Sequence, residues 1–93
     1  MAKSIIQDDK NVCYVCGGRA SEEHHVLNSF NRKASEKFGL TVYLCPSCHR
    51  GDCGVHGKNG HELNLMLKRI AQKKFEEEHS HKRFMEVFGK NYL

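Results

Sequence analysis

The sequence predicts a small α+β domain with helices towards its C-terminal end, and three observations carry that prediction. Two cysteine knuckles, Cys13-Tyr-Val-Cys16 and Cys45-Pro-Ser-Cys48, bracket the first half of the chain. A β-branched and aromatic run, Leu40-Thr-Val-Tyr-Leu44, ends directly at Cys45. Leu63, Met66, Leu67, Ile70, Ala71 and Phe75 recur at the spacing of one face of a helix.

The elements follow in order. Ser4 to Asn11 is polar apart from Ile5 and Ile6 and reads as an N-terminal arm or the approach to a first strand. Cys13 to Gly18 is a knuckle in which Gly17 and Gly18 allow the backbone to turn back at positive φ. Glu22 to Leu27 is short, ends in apolar residues and reads as a strand. Asn28 to Gly39 carries Phe30, Ala34 and Phe38 at near-helical spacing, with Gly39 as a stop. Leu40 to Leu44 is the second strand. Pro46 suits the first turn of a helix, so Cys48 and His49 fall on its opening turns. Gly51, Gly54 and Gly57 then interrupt regular structure. Asn59-x-x-Glu62 resembles a capping box for the long helix. A last helix presents Phe84, Val87 and Phe88 on one face and stops before Gly89.

The 93 residues form one domain, 1–93, near the lower end of what an apolar core stabilises unaided. Domains of this size commonly rely on disulfides or a structural metal. Five cysteines cannot all pair, and Met1 to Lys10 lack the apolar run of a secretory signal. No stretch approaches the roughly 20 apolar residues that cross a bilayer. The expected location is the cytoplasm, without a membrane partner, where closely spaced thiols are more often metal ligands than disulfides. Cys13, Cys16, Cys45 and Cys48 are therefore expected to hold one structural Zn2+ in a closed tetrahedron. A redox-active Cys-x-x-Cys would require a βαβ context, and none is visible. Cys53, the odd cysteine, reads as a free thiol.

A net charge of +4 is compatible with nucleic-acid binding and does not require it. The histidines are more telling. Five of the seven (His24, His25, His49, His56 and His61) lie within or just after the cysteine-bounded region. Any one of them alone would be an ordinary surface or core histidine. Together they suggest chemistry, because neutral imidazole binds divalent metals and titrates near neutral pH. On one straight helix His49 and His56 would stand about 10 Å apart along the axis, too far to share an ion, but the intervening glycines allow a fold-back. His56 thus reads either as a ligand or as a phosphate or loop contact. Asp52 is a further ligand candidate. His61 reads as a helix-start residue, and His79 and His81 as solvated.

A His-His pair on one strand, a second strand, and His49 on the following helix resemble the HNH, or His-Me finger, endonucleases. The resemblance covers roughly Cys13 to His56. It extends, through Asn31-Arg32, Ser35-Glu36, Gly54-Val-His56 and the terminal Phe88-Gly-Lys-Asn-Tyr-Leu93, to small phage-type members of that family. It implies a zinc-stabilised ββα-metal, treble-clef-like core over about 11–58 and a helical part over about 60–93. It also implies metal-dependent DNA endonuclease or nickase activity with little sequence specificity. His24 then takes the ligand position of the dipeptide, His25 the general-base position, and His49 that of the final ligand. With His56 they would hold a catalytic cation such as Mg2+ or Mn2+. Leu40 and Thr41 stand where the middle Asn of the pattern would fall, and Asn31 is the candidate substitute. Adjacent strand residues point to opposite faces, so His24 and His25 can share a site only if the strand bends or ends there. Arg32, Lys33, Arg50 and Lys58 are the expected phosphate contacts, and each reads equally well as ordinary surface charge. The implied partners are DNA and phage or host DNA-processing proteins in a bacterial cytoplasm. The rival reading is a catalytically silent zinc module that binds nucleic acid or protein.

Overall fold

In the computed structural model, which describes residues 4–27 and 32–93, two strands and four helices follow in sequence. They are β1 (Glu22–His25), α1 (Arg32–Phe38), β2 (Thr41–Leu44), α2 (Pro46–Arg50), α3 (His61–Glu78) and α4 (His81–Phe88). Helices and a sheet segregated in this way make an α+β domain. The readings that fall on Asn28, Phe30 and Asn31 lie outside the described residues.

The strands form an antiparallel pair in the register Glu22↔Leu44, Glu23↔Tyr43, His24↔Val42 and His25↔Thr41. His24 therefore shares a sheet face with Val42 and Leu44, both fully buried. α2 packs against both strands, and α1 packs against β1. The first strand is shorter than its sequence suggests. Ser35 explains why: its backbone oxygen accepts from Leu40 N at 2.8 Å, the group that would return the bond Val26 N gives to Leu40 O at 3.1 Å. Its hydroxyl separately holds Leu27, accepting from Leu27 N at 3.1 Å and donating to Leu27 O at 2.6 Å, and Val26 and Leu27 stay buried.

The N-terminal arm does not pair as a strand. It docks on β2 through side chains instead, with Ser4 Oγ donating to Thr41 O at 2.5 Å and Gln7 Oε1 accepting from Tyr43 N at 2.8 Å. Gly39 closes α1 at φ 72°, as expected of a helix stop. In the knuckle only Gly17 takes a positive φ, of 76°.

The apolar stripe of α3 forms one wall of the core, with Leu67, Ala71 and Phe75 buried. Phe75 meets Phe38 of α1 and Phe84 and Phe88 of α4 at ring separations of 5.1, 5.5 and 5.7 Å, all edge-to-face. Asn59 does not cap α3. The helix begins at His61, so the N-cap is Gly60, without a side-chain bond, and Asn59 stands one residue too early, its N–H donating to Asp52 O at 2.8 Å. Ser80 caps α4, accepting from Arg83 N at 3.0 Å, and Gly89 ends that helix in the left-handed region. Two histidines read as solvated have partners: His81 Nδ1 lies 2.8 Å from Glu76 Oε2, and the exposed His79 ring stacks 4.5 Å from Phe75. No helix among the described residues is long and apolar enough to cross a membrane.

Candidate metal centres

The two knuckles meet because each is tied to the end of β2. The first is a tight turn closed by Cys13 N to Gly18 O at 2.7 Å and Gly17 N to Cys13 O at 2.9 Å. It is anchored by Tyr14 N to Tyr43 O at 2.9 Å. The second begins where β2 ends, with Cys45 as the N-cap of α2. The four sulfurs all lie within 4.8 Å of one another. Cys16 and Cys45 Sγ are 3.8 Å apart, matching the edge of about 3.8 Å that a tetrahedron of 2.3 Å zinc–sulfur bonds requires. The sulfurs also receive backbone N–H groups: Cys16 N reaches Cys13 Sγ at 3.5 Å, Gly18 N reaches Cys16 Sγ at 3.4 Å, and Cys48 N reaches Cys45 Sγ at 3.4 Å. Burial opposes ionisation of Cys13, but N–H groups of Cys16, Cys45 and Val15 outweigh it and bring its thiol down to about 6. These four cysteines can hold a metal ion such as zinc. Cys53 is exposed and stands apart from them.

A second cluster also draws on α2. His24 from β1, His49 from α2 and His56 from the following loop place one ring nitrogen each within 4.8 Å of the others. Their ring centres are separated by 5.2 Å (His24–His49), 5.1 Å (His24–His56) and 4.8 Å (His49–His56). The separation expected of His49 and His56 on a straight helix is abolished by a fold-back. His56 N donates to His49 O at 3.0 Å and Val55 N to Cys48 O at 2.9 Å. Glycines at every third position make the turn: Gly54 N reaches Gly51 O, Gly57 N reaches Gly54 O, and Gly60 N reaches Gly57 O, at 2.9, 2.9 and 3.1 Å. A Cβ at Gly57 would fall 1.9 Å from Gly51 O, and one at Gly60 would fall 1.7 Å from Gly54 O. Backbone packs on backbone there, leaving no room for a side chain.

His24 is 2% exposed, and its Nε2 has no hydrogen-bond partner. An orphaned buried nitrogen facing two other imidazoles is the environment of a metal ligand rather than of a satisfied core histidine. Burial first, then the neighbouring His49, His56, His25 and Lys68, hold the His24 imidazole neutral down to about 3. Burial and His49 lower His56 as well. Neutral imidazole is the metal-binding form.

Glu22, two residues before His24 on the same strand face, was not singled out by the sequence. Its Oε1 lies 2.6 Å from His49 Nδ1, which leaves Nε2 as the coordinating nitrogen of His49. The His49 contact is also the main cause holding the Glu22 carboxyl below its ordinary range, ahead of the opposing burial and of Arg50. The alternation of strand residues was the signal that could have found it.

His25 ends β1, so the condition set by strand alternation is met by termination. Both His24 and His25 line a pocket of about 240 Å³ with Glu23, Arg32, His49 and His56. The His25 side chain is 13% exposed, and its buried Nε2 has no hydrogen-bond partner. Carboxylates of Glu23 and Glu36 each approach that nitrogen to 3.9 Å.

Of the four basic residues proposed for phosphate contact, only Arg32 lines this pocket. Arg50 is committed to Glu22, donating from Nε to Oε1 at 3.1 Å and from Nη2 to Oε2 at 2.5 Å. Lys33 and Lys58 are exposed. Asp52 does not join the cluster: it is exposed, and its carbonyl serves the loop. His61 opens α3, as expected. In comparison with known proteins, the chain matches no family model, no curated protein and no solved structure.

Proposed function

We propose that the protein is a metal-dependent DNA endonuclease or nickase of the HNH type, built on a zinc-stabilised ββα-metal core. It would hydrolyse phosphodiesters with little sequence preference. One observation carries this reading: three imidazoles converge on a common point, and a fourth, His25, lines the same pocket without being one of the three. A purely structural second metal site would need no additional imidazole beside it whose buried Nε2 makes no hydrogen bond.

His24, His49 and His56 can hold a divalent cation, since the set offers three neutral nitrogens and an orphaned Nε2 on His24. An all-imidazole set favours transition metals over the oxygen-seeking Mg2+, so of Mg2+ and Mn2+ it is Mn2+ that these residues suit better. When bound there, such an ion supplies positive charge to the non-bridging and leaving oxygens of a phosphodiester. The residues do the rest. His25 takes a proton from the attacking water. The water oxygen bonds to phosphorus, the bond from phosphorus to the leaving sugar oxygen breaks, and that oxygen takes a proton from solvent. Arg32 contacts the phosphate from the pocket wall, and Glu22 fixes the ring of His49.

The test is nicking of a supercoiled plasmid by zinc-loaded protein with Mg2+ or Mn2+. Wild type is expected to cut, and His25→Ala to lose roughly 100-fold or more in rate while still binding DNA. Equal cutting by both, or cutting by neither with any metal, would favour the silent zinc module.

A further inference from the structure

A groove of about 290 Å³ runs between α3 and the segment after α4, away from both cysteine knuckles. His61, Asn64, Lys68, Arg69, Lys90 and Tyr92 contribute to its walls, which contain no carboxylate side chain. Arg69 Nε donates to Tyr92 O at 3.1 Å and pins the segment against α3. Tyr92 N completes the attachment through Gln72 Oε1 at 2.7 Å. The Nζ atoms of Lys68 and Lys90 stand over the Tyr92 ring at 5.4 and 5.6 Å.

Two ammonium groups on one ring repel each other, and neither forms an ion pair with a carboxylate among the described residues. Such a pair is relieved by an anion lying between them. Asn64 also lines the groove, and its buried Oδ1 has no hydrogen-bond partner. A bare inorganic anion leaves that oxygen unpaired, whereas a nucleotide brings both a phosphate and the donor groups of sugar or base.

We propose that this groove is a second docking site for a nucleic-acid strand, taking a phosphodiester on Lys68 and Lys90 and an adjoining sugar or base on Asn64. It rests on the nuclease reading only for the idea that the molecule binds a nucleic-acid strand. Its role is to position, not to cleave.

The probe is a fluorescein-labelled single-stranded oligonucleotide, followed by anisotropy with zinc-loaded protein in the absence of Mg2+ and Mn2+. The double variant Lys68→Gln/Lys90→Gln is expected to bind about tenfold or more weakly at 0.1 M salt, with the slope of log affinity against log salt falling by about 1.4. A control pair that removes the same charge from exposed positions, Lys73→Gln/Lys82→Gln, is expected to change affinity less than about threefold. Lys90→Glu alone, in the exposed segment after α4, should reproduce most of the loss should the double variant fold poorly. Inorganic phosphate at matched ionic strength should not displace the oligonucleotide. Equal losses in groove and control pairs, no loss with Lys90→Glu, or displacement by inorganic phosphate would each overturn the proposal. Binding that depends on the groove in a protein that never cuts would retain the groove and remove the nuclease. Cutting that depends on His25 with binding indifferent to the groove would do the reverse.

Discussion

Glu22 and His49 are joined by a 2.6 Å contact between Oε1 and Nδ1, and the same carboxylate holds Arg50 through both oxygens. The bond reaches from the first residue of β1 to the fourth of α2. It fixes the ring that must turn its other nitrogen to His24 and His56. Partners of this kind contribute about 10- to 100-fold to metal affinity when they orient a ligand. Glu22→Ala should therefore weaken Mn2+ binding at the histidine cluster by about that factor, and Glu22→Gln, which can still accept from Nδ1–H, by less. Zinc content should be unchanged in both. Isothermal titration of zinc-loaded protein measures the first quantity and elemental analysis the second. Equal Mn2+ affinity in all three proteins would assign Glu22 to surface charge alone.

The glycine-rich loop makes a second prediction. A methyl group at position 57 would overlap Gly51 O, so Gly57→Ala must open the fold-back that carries His56. Forcing a group into packed backbone costs about 1–3 kcal/mol, readable as a lowered urea midpoint. The same variant should lose the histidine-cluster metal while retaining zinc, because the cysteine thiols are placed by the first knuckle, the end of β2 and the start of α2, and of the cysteines the turn touches only the Cys48 carbonyl. Unchanged stability would mean that the loop is looser than its hydrogen bonds imply.

Removing zinc should cost far more than the loss of one contact. The knuckles fix the end of β2 and the start of α2, and the apolar core of so small a domain has little surplus stability. A chelator strong enough to strip the cysteines is expected to abolish the cooperative melt, and added zinc to restore it. Cys48→Ser should melt well below wild type. A chelated protein that melts cooperatively at the wild-type temperature would contradict a structural role.

Stability should also fall with acidity through His24. Its folded imidazole resists protonation down to about 3, whereas in the unfolded chain it titrates near 6.5. The unfolded state therefore binds the extra proton first. This contribution is complete above about pH 6.5 and is lost progressively as pH falls from there towards 3. Between pH 7.5 and 5.5 the loss amounts to roughly 1 kcal/mol. In His24→Gln, which cannot titrate, the fall in urea midpoint over that interval should be smaller by a corresponding amount. Parallel profiles for the two proteins would show that His24 is readily protonated in the folded state.

Much of this could be read from residue types and spacing. Two Cys-x-x-Cys turns announce a four-sulfur cluster, and the Leu63 to Phe75 stripe announces the helix that closes the core. The shortfalls share a cause. Asn59 has the side chain of a cap, but the folded loop ends one residue later, at Gly60, so α3 starts at His61 and Asn59 falls outside the cap position. Leu27 belongs to an apolar run, yet Ser35 claims its backbone from the next helix. His56 could not be placed because its position depends on Gly51, Gly54, Gly57 and Gly60 packing main chain against main chain. Those glycines recur at every third position, a pattern visible in the sequence whose consequence is purely steric. Glu22 was within reach through strand alternation, whereas the Lys68–Lys90 groove joins positions that no local pattern relates.

Manganese uptake by zinc-loaded protein decides whether the imidazoles form a working centre. One further Mn2+ per chain should bind to wild type, seen as loss of the free-ion electron paramagnetic resonance signal. His24→Ala, His49→Ala and His56→Ala should each abolish that uptake while keeping zinc. Absence of a second ion in the wild type, or uptake indifferent to all three substitutions, would contradict the account.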